Sequence, residues 1–156
     1  MRKIVLIILL VCALLSISDC KKNSNKLKYI DCDINSTATD NIKIDRKYRI
    51  YYTGNLVNKT ESNDIVTSND SALITKYSNA YQQVAEAYKD IKYYDFTVKT
   101  SSNKVHSRIV IDYDHVDVDK ILEIEGEEDN IFTDKKVYLD KLKEWAKNHG
   151  INCDKN

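Results

Sequence analysis

The feature that most constrains the fold of this chain is an alternating stretch that runs into a two-residue turn. Over residues 42–52 five large side chains stand on even positions, which is the period of a β-strand with one buried face: Ile42, Ile44, Tyr48, Ile50 and Tyr52. Gly54-Asn55 follows, and glycine supplies the positive φ of a tight hairpin turn. Residues 56–66 are then the expected partner strand. An antiparallel hairpin therefore lies at the centre of the predicted fold.

Two helices are predicted from apolar residues spaced three and four apart. The first spans about twenty residues, from Leu73 to Ile91, behind the potential N-caps of residues 68–71. The second carries Leu139, Leu142 and Trp145 inward and ends at Gly150, which suits the C′ position.

The remaining patterns predict short elements around these helices. Residues 27–34 are a strand, residues 94–98 and 105–113 are two more around a polar turn, and residues 117–123 are a short helix. The fold class is therefore α+β, with an antiparallel sheet of about five strands built from hairpins and two main helices packed on one face. Residues 27–156 are expected to form a single domain.

The N-terminus predicts export. Arg2-Lys3 is a positive start, and the apolar run over residues 4–15 is too short to span a membrane comfortably. Both features are typical of a signal peptide, here residues 1–19. Residues 20–26 are polar and read as a tether between a membrane and the domain.

Ile17-Ser18-Asp19-Cys20 resembles the bacterial lipobox, which predicts a diacylglycerol on Cys20 and a position on the outer face of the cell membrane. Asp19 departs from the small neutral residue usual at that position. Cleavage before Asp19, with release of a soluble protein, is one alternative. An uncleaved anchor is another.

Cysteine counting supports the lipid. With Cys12 in the leader and Cys20 modified, Cys32 and Cys153 remain as an even pair at the two ends of the domain. In an oxidising compartment such a pair is a disulfide candidate, while two free thiols are the alternative.

Two motifs connect the chain to a known family. Tyr52-Thr53-Gly54-Asn55-Leu56-Val57-Asn58-Lys59 is similar to the hairpin of the YehR-like family of small bacterial lipoproteins, and Ile111-Asp112-Tyr113-Asp114-His115-Val116-Asp117 is similar to a second segment of that family. The C-terminal helix from Leu139, followed by Gly150 and then Cys153, also resembles the ending of Gram-positive members of the family. The pair of Cys32 and Cys153 resembles a pair common in those members. The resemblance implies an envelope lipoprotein with an α+β fold and no established catalytic residue.

Charge and composition narrow the function. The chain has 24 basic and 24 acidic residues, and removal of Arg2, Lys3 and Asp19 leaves 22 and 23. No excess of positive charge favours nucleic acid, which is not expected as a partner. No cofactor is predicted, because the chain has no glycine-rich phosphate loop.

An acidic cluster is the only segment that suggests a metal. It consists of Asp112, Asp114, Asp117, Asp119 and Glu123. An EF-hand loop beginning at Asp112 would need glycine at its sixth position, where Asp117 stands, so strand-end solvation and helix capping by Asp117 are expected instead. The histidines, His106, His115 and His149, have no metal-ligand spacing.

These observations predict a non-enzymatic envelope lipoprotein that binds an envelope protein or a small ligand. The expected contact surface is the side of the sheet that the helices do not cover, where the side chains of Tyr51, Tyr93 and Lys99 are expected to be exposed. The alternative is a small extracellular hydrolase acting on an envelope polymer or sugar. A pocket joining His106 to Asp112 or Asp114 would favour that alternative.

Overall fold

A computed structural model describes residues 26–34, 37–39, 41–126 and 130–153 of the 156-residue chain. The described strands are β1 Lys28–Ile34, β2 Thr37–Thr39, β3 Ile42–Thr53, β4 Leu56–Thr67, β5 Tyr94–Ser101, β6 Lys104–Asp112, β7 Phe132–Thr133, β8 Lys136–Val137 and β9 Ile151–Asn152. The described helices are α1 Ser71–Tyr88, α2 Val118–Glu125 and α3 Leu139–Asn148.

One antiparallel sheet dominates the molecule. Its strands are ordered β5-β6-β4-β3-β1-β9, and β2 pairs with β3 beside β1. β7 and β8 form a separate two-stranded hairpin. The α+β prediction is confirmed, and the five predicted strands correspond to β1, β3, β4, β5 and β6. The sheet is larger than predicted because β2 and β9, with three and two residues, are too short to show a period of two.

The central hairpin forms where the sequence predicts it. Gly54 has a φ of 62°, and the register joins Thr53 to Leu56 across the turn. β3 and β4 are both 12 residues long, so they form the spine of the sheet. A register shift between Tyr51 and Tyr52 marks a β-bulge near the turn.

The two faces of the sheet differ sharply, because alternate residues of each strand point to opposite sides. Ile44 lies opposite Val66, which lies opposite Val105, and these three side chains are buried on the face that the helices cover. We call this side the covered face. The other side, with Asp45, Lys47, Arg49 and Glu61, carries many charges and is called the open face.

The helices begin and end at residues with a physical reason. Asp70 caps α1 by accepting a hydrogen bond from the backbone N–H of Ala72 at 2.8 Å. α1 ends at Tyr88, earlier than predicted, and Ile91 is buried in the turn that follows. α3 is followed by Gly150, whose φ of 75° is the left-handed conformation predicted for that residue.

A disulfide joins the two ends of the domain. Cys32 of β1 is bonded to Cys153, which confirms the predicted pair. Cys153 directly follows β9, whose Ile151 pairs with Ile34 of β1. The bond lies in a buried cluster with Ile30, Ile50, Leu142 and Ala146, so it fastens β1, β9 and α3 together.

The predicted leader and most of the tether lie outside the described residues, and so do Cys12 and Cys20. Within the residues that the structure describes, no helix is long and apolar enough to cross a membrane.

Candidate ligand-binding cavity

A largely apolar cavity of about 280 Å³ lies between the covered face and the helices α2 and α3. Its volume is just below the range of about 300–1,000 Å³ that is usual for small-molecule sites. Its lining residues are Ile34, Tyr48, Thr60, Ser62, Tyr94, Ile109, Ile111, Tyr113, Ile121, Glu125, Ile131, Phe132, Leu142, Trp145 and Ile151.

The roof of the cavity is apolar and comes from α2, α3 and the connection between them. Ile121 and Leu142 are almost fully buried, and Trp145 contributes a half-buried ring. His149 orients that turn of α3, because its ring stacks on Trp145 at 4.3 Å and its Nδ1 lies 2.8 Å from the Trp145 carbonyl oxygen. His149 thus lies at the C-terminus of α3, next to the last carbonyl groups of the helix.

The floor of the cavity carries a row of hydroxyl groups. Tyr48 of β3 lies opposite Ser62 of β4, and Thr60 is one covered-face position further along. The Thr60 hydroxyl donates a hydrogen bond of 3.5 Å to the Tyr113 hydroxyl and lies within reach of Tyr48. These groups stand at positions where a buried strand face would ordinarily carry aliphatic side chains.

The floor tyrosines are held in the neutral state. Burial raises the pKa of Tyr48 well above its ordinary value. Burial also raises the pKa of Tyr113 to about 12, with the Glu125 charge adding to the effect and the hydrogen bond with Thr60 opposing it. The floor therefore offers uncharged hydroxyl groups at any physiological pH.

One carboxylate lies at the rim. Glu125 is exposed at the last turn of α2, and its Oε1 accepts a hydrogen bond of 2.8 Å from the Tyr88 hydroxyl. The Tyr88 ring stacks on Tyr94 at 4.4 Å. Burial is the main reason that the pKa values of both tyrosines are raised, and the Glu125 carboxylate raises both further.

The predicted contact residues are spread over the open face. Tyr51 is half-buried, and the Lys59 ammonium lies 4.1 Å from its ring centroid. Tyr51 pairs with Lys59 across the sheet, and Lys59 pairs with Asp112 on the next strand. The backbone oxygen of Tyr93, which has a φ of 66°, accepts a hydrogen bond from the backbone N–H of Asp112. Tyr93 therefore lies at the end of this row of three paired residues.

Lys99 is exposed on the edge strand β5, opposite His106. His106 is six residues from Asp112 along β6, or about 20 Å at the usual rise of a strand. The structure therefore places Tyr93 near the paired residues Tyr51, Lys59 and Asp112, and places Lys99 near the other end of β6.

The acidic cluster divides among local structural roles. Asp112 accepts hydrogen bonds from the Asp114 backbone N–H at 3.0 Å and contacts His115 Nδ1 at 2.8 Å. Asp117 caps α2, as predicted. Asp119 pairs with Lys135 at 2.6 Å.

Glu123, the last member of the acidic cluster, is exposed on α2. Among the residues described, no group of three or more histidine, cysteine or acidic side chains could hold a metal ion.

The residues of the hydrolase alternative do not line the cavity. His106 lies on the open face, where Nε2 is 3.4 Å from the side-chain oxygen of Asn63. Asp112 and Asp114 lie at the end of β6 and in the turn after it, and the cavity contains neither of them.

Two solved structures share this architecture. The NMR structure of the YehR protein of Escherichia coli superposes with a TM-score of 0.59 and 16% sequence identity, over 85% of this chain and 96% of that chain. The chain has the YehR-like fold. The NMR structure of a protein from Streptococcus pneumoniae TIGR4 has a TM-score of 0.51 and 12% identity, over 83% of this chain and 86% of that chain.

The predicted resemblance to the YehR-like family is thus confirmed for the fold. A scan against protein-family models finds no match, and a search of curated proteins finds none either.

Sequence reasoning missed the cavity. A signal for it was present in β4, where Thr60 and Ser62 occupy covered-face positions opposite Ile50 and Tyr48. Small hydroxyl residues at two successive core positions, facing an aromatic residue, indicate space on that face. The residues of the roof carry no such signal, because apolar helix stripes are typical of any core.

Proposed function

We propose that this protein is an exported, lipid-anchored envelope protein whose YehR-like domain binds a small, mostly apolar ligand without transforming it. The anchoring rests on the leader, on the lipobox-like segment that ends at Cys20, and on the polar residues 21–26. The described domain begins with β1 at Lys28, so the tether leads directly into the sheet.

The cavity is the observation that carries the binding role. A concave, mostly apolar space with a few polar groups is typical of small-molecule sites. The space of about 280 Å³ is partly open to solvent, with an apolar roof and a hydroxyl floor. A ligand with an apolar body would remove the apolar lining from water, which is favourable, and could form hydrogen bonds with the floor hydroxyls.

The chemistry of the lining supports binding over catalysis. General acid–base catalysis needs a group that titrates near the working pH. The floor tyrosines have raised pKa values, and the rim carboxylate of Glu125 is already bonded to Tyr88. The described residues that line the cavity include no histidine, cysteine or lysine.

Intact mass spectrometry of the membrane fraction tests the anchor. The wild-type chain should carry an added mass the size of a diacylglycerol, and Cys20→Ser should lose it. Cys12→Ser is the matched control, since Cys12 lies in the predicted leader and its loss should leave the lipid in place. A soluble wild-type chain beginning at Asp19 would refute lipid anchoring.

Isoleucine-methyl NMR tests the cavity. The mature chain from residue 20, with Cys20→Ser, is titrated with 1-octanol, a neutral probe of suitable size. Signals of cavity isoleucines such as Ile109 and Ile121 should shift, and the signal of Ile65 on the open face should not. Ser62→Leu fills the floor and should abolish the shifts, whereas Asn63→Leu, one residue along on the open face, should retain them. Unchanged cavity signals in the parent chain would refute the proposed site.

A further inference from the structure

The charge on the described lining of the cavity is negative only. Among the residues that the structure describes, fifteen line the cavity, and they include one carboxylate, Glu125, and no lysine, arginine or histidine. The Glu125 charge acts on the tyrosines of the site, since it raises the pKa of Tyr113 and of Tyr94. An anionic ligand would therefore meet a negative potential with no cation in the lining to offset it.

The polar groups of the floor do not alter that balance. Tyr48, Thr60, Ser62 and Tyr113 are neutral hydroxyls that both donate and accept hydrogen bonds. They can satisfy an alcohol, ether or carbonyl oxygen. A buried carboxylate would need ionic pairing as well, because taking a charge out of water costs far more than taking out a neutral polar group.

The volume sets the size of the apolar body. A water molecule occupies about 30 Å³ of liquid and a methylene group has a similar size, so about 280 Å³ holds nine or ten non-hydrogen atoms. An eight-carbon chain with one polar group matches that number. A longer molecule would extend past the rim, where Glu125 stands.

We propose that the cavity selects neutral or cationic amphiphiles and rejects anionic ones. An alkyl chain or single ring would lie under Ile121, Leu142 and Trp145, with a hydroxyl or ammonium group directed to the floor or to Glu125. This selectivity rests on the proposed function, since it concerns the same cavity. It excludes free fatty acids and other simple carboxylates as the ligand class.

The test compares three ligands of one chain length: 1-octanol, octylammonium and octanoate. Each is titrated into the mature chain with Cys20→Ser, with the same isoleucine-methyl signals as the readout. Octanol and octylammonium should shift the cavity isoleucines, and octanoate should bind at least about tenfold more weakly than either.

Glu125→Gln isolates the rim charge. Glutamine keeps an oxygen that can accept the Tyr88 hydrogen bond, and the position is exposed, so the variant should fold. Octanoate and octylammonium should then bind within about threefold of each other. Glu123→Gln is the matched control on the same helix, outside the cavity lining, and should retain the wild-type preference.

The outcomes separate the two proposals. If octanol leaves the cavity signals unchanged, the binding role itself fails. If octanol binds but octanoate binds as tightly, the cavity stands and the charge selectivity is refuted. If octanoate is rejected equally by the wild type and by Glu125→Gln, the rim carboxylate is not the source of the selectivity and that assignment is overturned.

Discussion

Removing the Cys32–Cys153 disulfide should destabilise the domain strongly. The two residues are 121 positions apart, so the bond closes a loop that contains nearly the whole domain. For a loop of that length the chain-entropy model gives about 5 kcal/mol of stabilisation, and native disulfides of small secreted domains typically contribute about 2–5 kcal/mol. Domains of this size have unfolding free energies of about 5–15 kcal/mol in total.

The native contacts explain why the loss would concentrate at one end of the fold. β9 has only two residues, and it pairs with β1 through Asp33 and Ile34. Without the covalent bond, the segment after α3 depends on this short pairing and on the packing of Ile151 against the core. Hydrogen exchange should therefore rise first in α3 and β9, and less in the β3–β4 hairpin.

The assay is urea unfolding of the mature chain with Cys20→Ser, followed by circular dichroism. The variant Cys32→Ala/Cys153→Ala should lose about 2–5 kcal/mol and show a larger dependence on urea, because its unfolded state is more expanded. The same parent chain in reductant is the control, and it should fall close to the double variant. Such agreement would show that the loss of stability comes from the missing bond and not from the small cavities that the alanine substitutions leave.

Two results would refute the reasoning. A loss below about 1 kcal/mol would mean that the bond adds little beyond the packing of the cluster. Two reactive thiols in the unfolded parent chain without reductant would mean that the bond does not form in that protein.

Three further predictions follow from packing, titration and capping. Leu142→Ala should lower the free energy of unfolding in urea by about 2–5 kcal/mol, because this side chain is fully buried on the inner side of α3. Glu144→Ala, on the exposed side of the same helix, should change it by no more than about 0.5 kcal/mol. The pKa of Tyr113 is raised from 10.0 to about 12, so the folded state keeps a proton that the unfolded chain loses. The associated stability is complete below pH 10 and is lost towards pH 12, and phenolate absorbance at 295 nm should lag behind that of the urea-unfolded chain; equal absorbance would contradict this. Asp70→Ala should cost about 1 kcal/mol, because two N–H groups of α1 lose their acceptor, and unchanged thermal unfolding would show that the cap is dispensable.

Elements with strong local signals could be predicted from the sequence. The turn at Gly54-Asn55 and the cap at Asp70 involve residues within a few positions of one another, so the sequence contains the whole interaction. The same is true of Gly150 after α3. The disulfide was predictable for a different reason, since counting cysteines needs no geometry.

Elements without such signals could not be predicted. β9 exists because β1 offers an unpaired edge to a segment at the other end of the domain. β2 pairs with the neighbouring strand β3, but its three residues are too few to show a period of two. The hairpin of β7 and β8 turns through Asp134 and Lys135, and both residues adopt a positive φ. Neither is a glycine, so the sequence does not indicate the turn.

The central hairpin, the main helices, the candidate pair of Cys32 and Cys153 and the expectation of export all follow from the amino-acid sequence. These properties depend on periodicity, capping, composition and count, all of which are read along the chain. The cavity on the covered face depends on the tertiary fold, because its lining comes from nine separate strands and helices and the loops between them. Whether small hydroxyl residues on β4 leave a space or are filled depends on how closely α2 and α3 pack above them, and no local pattern encodes that distance.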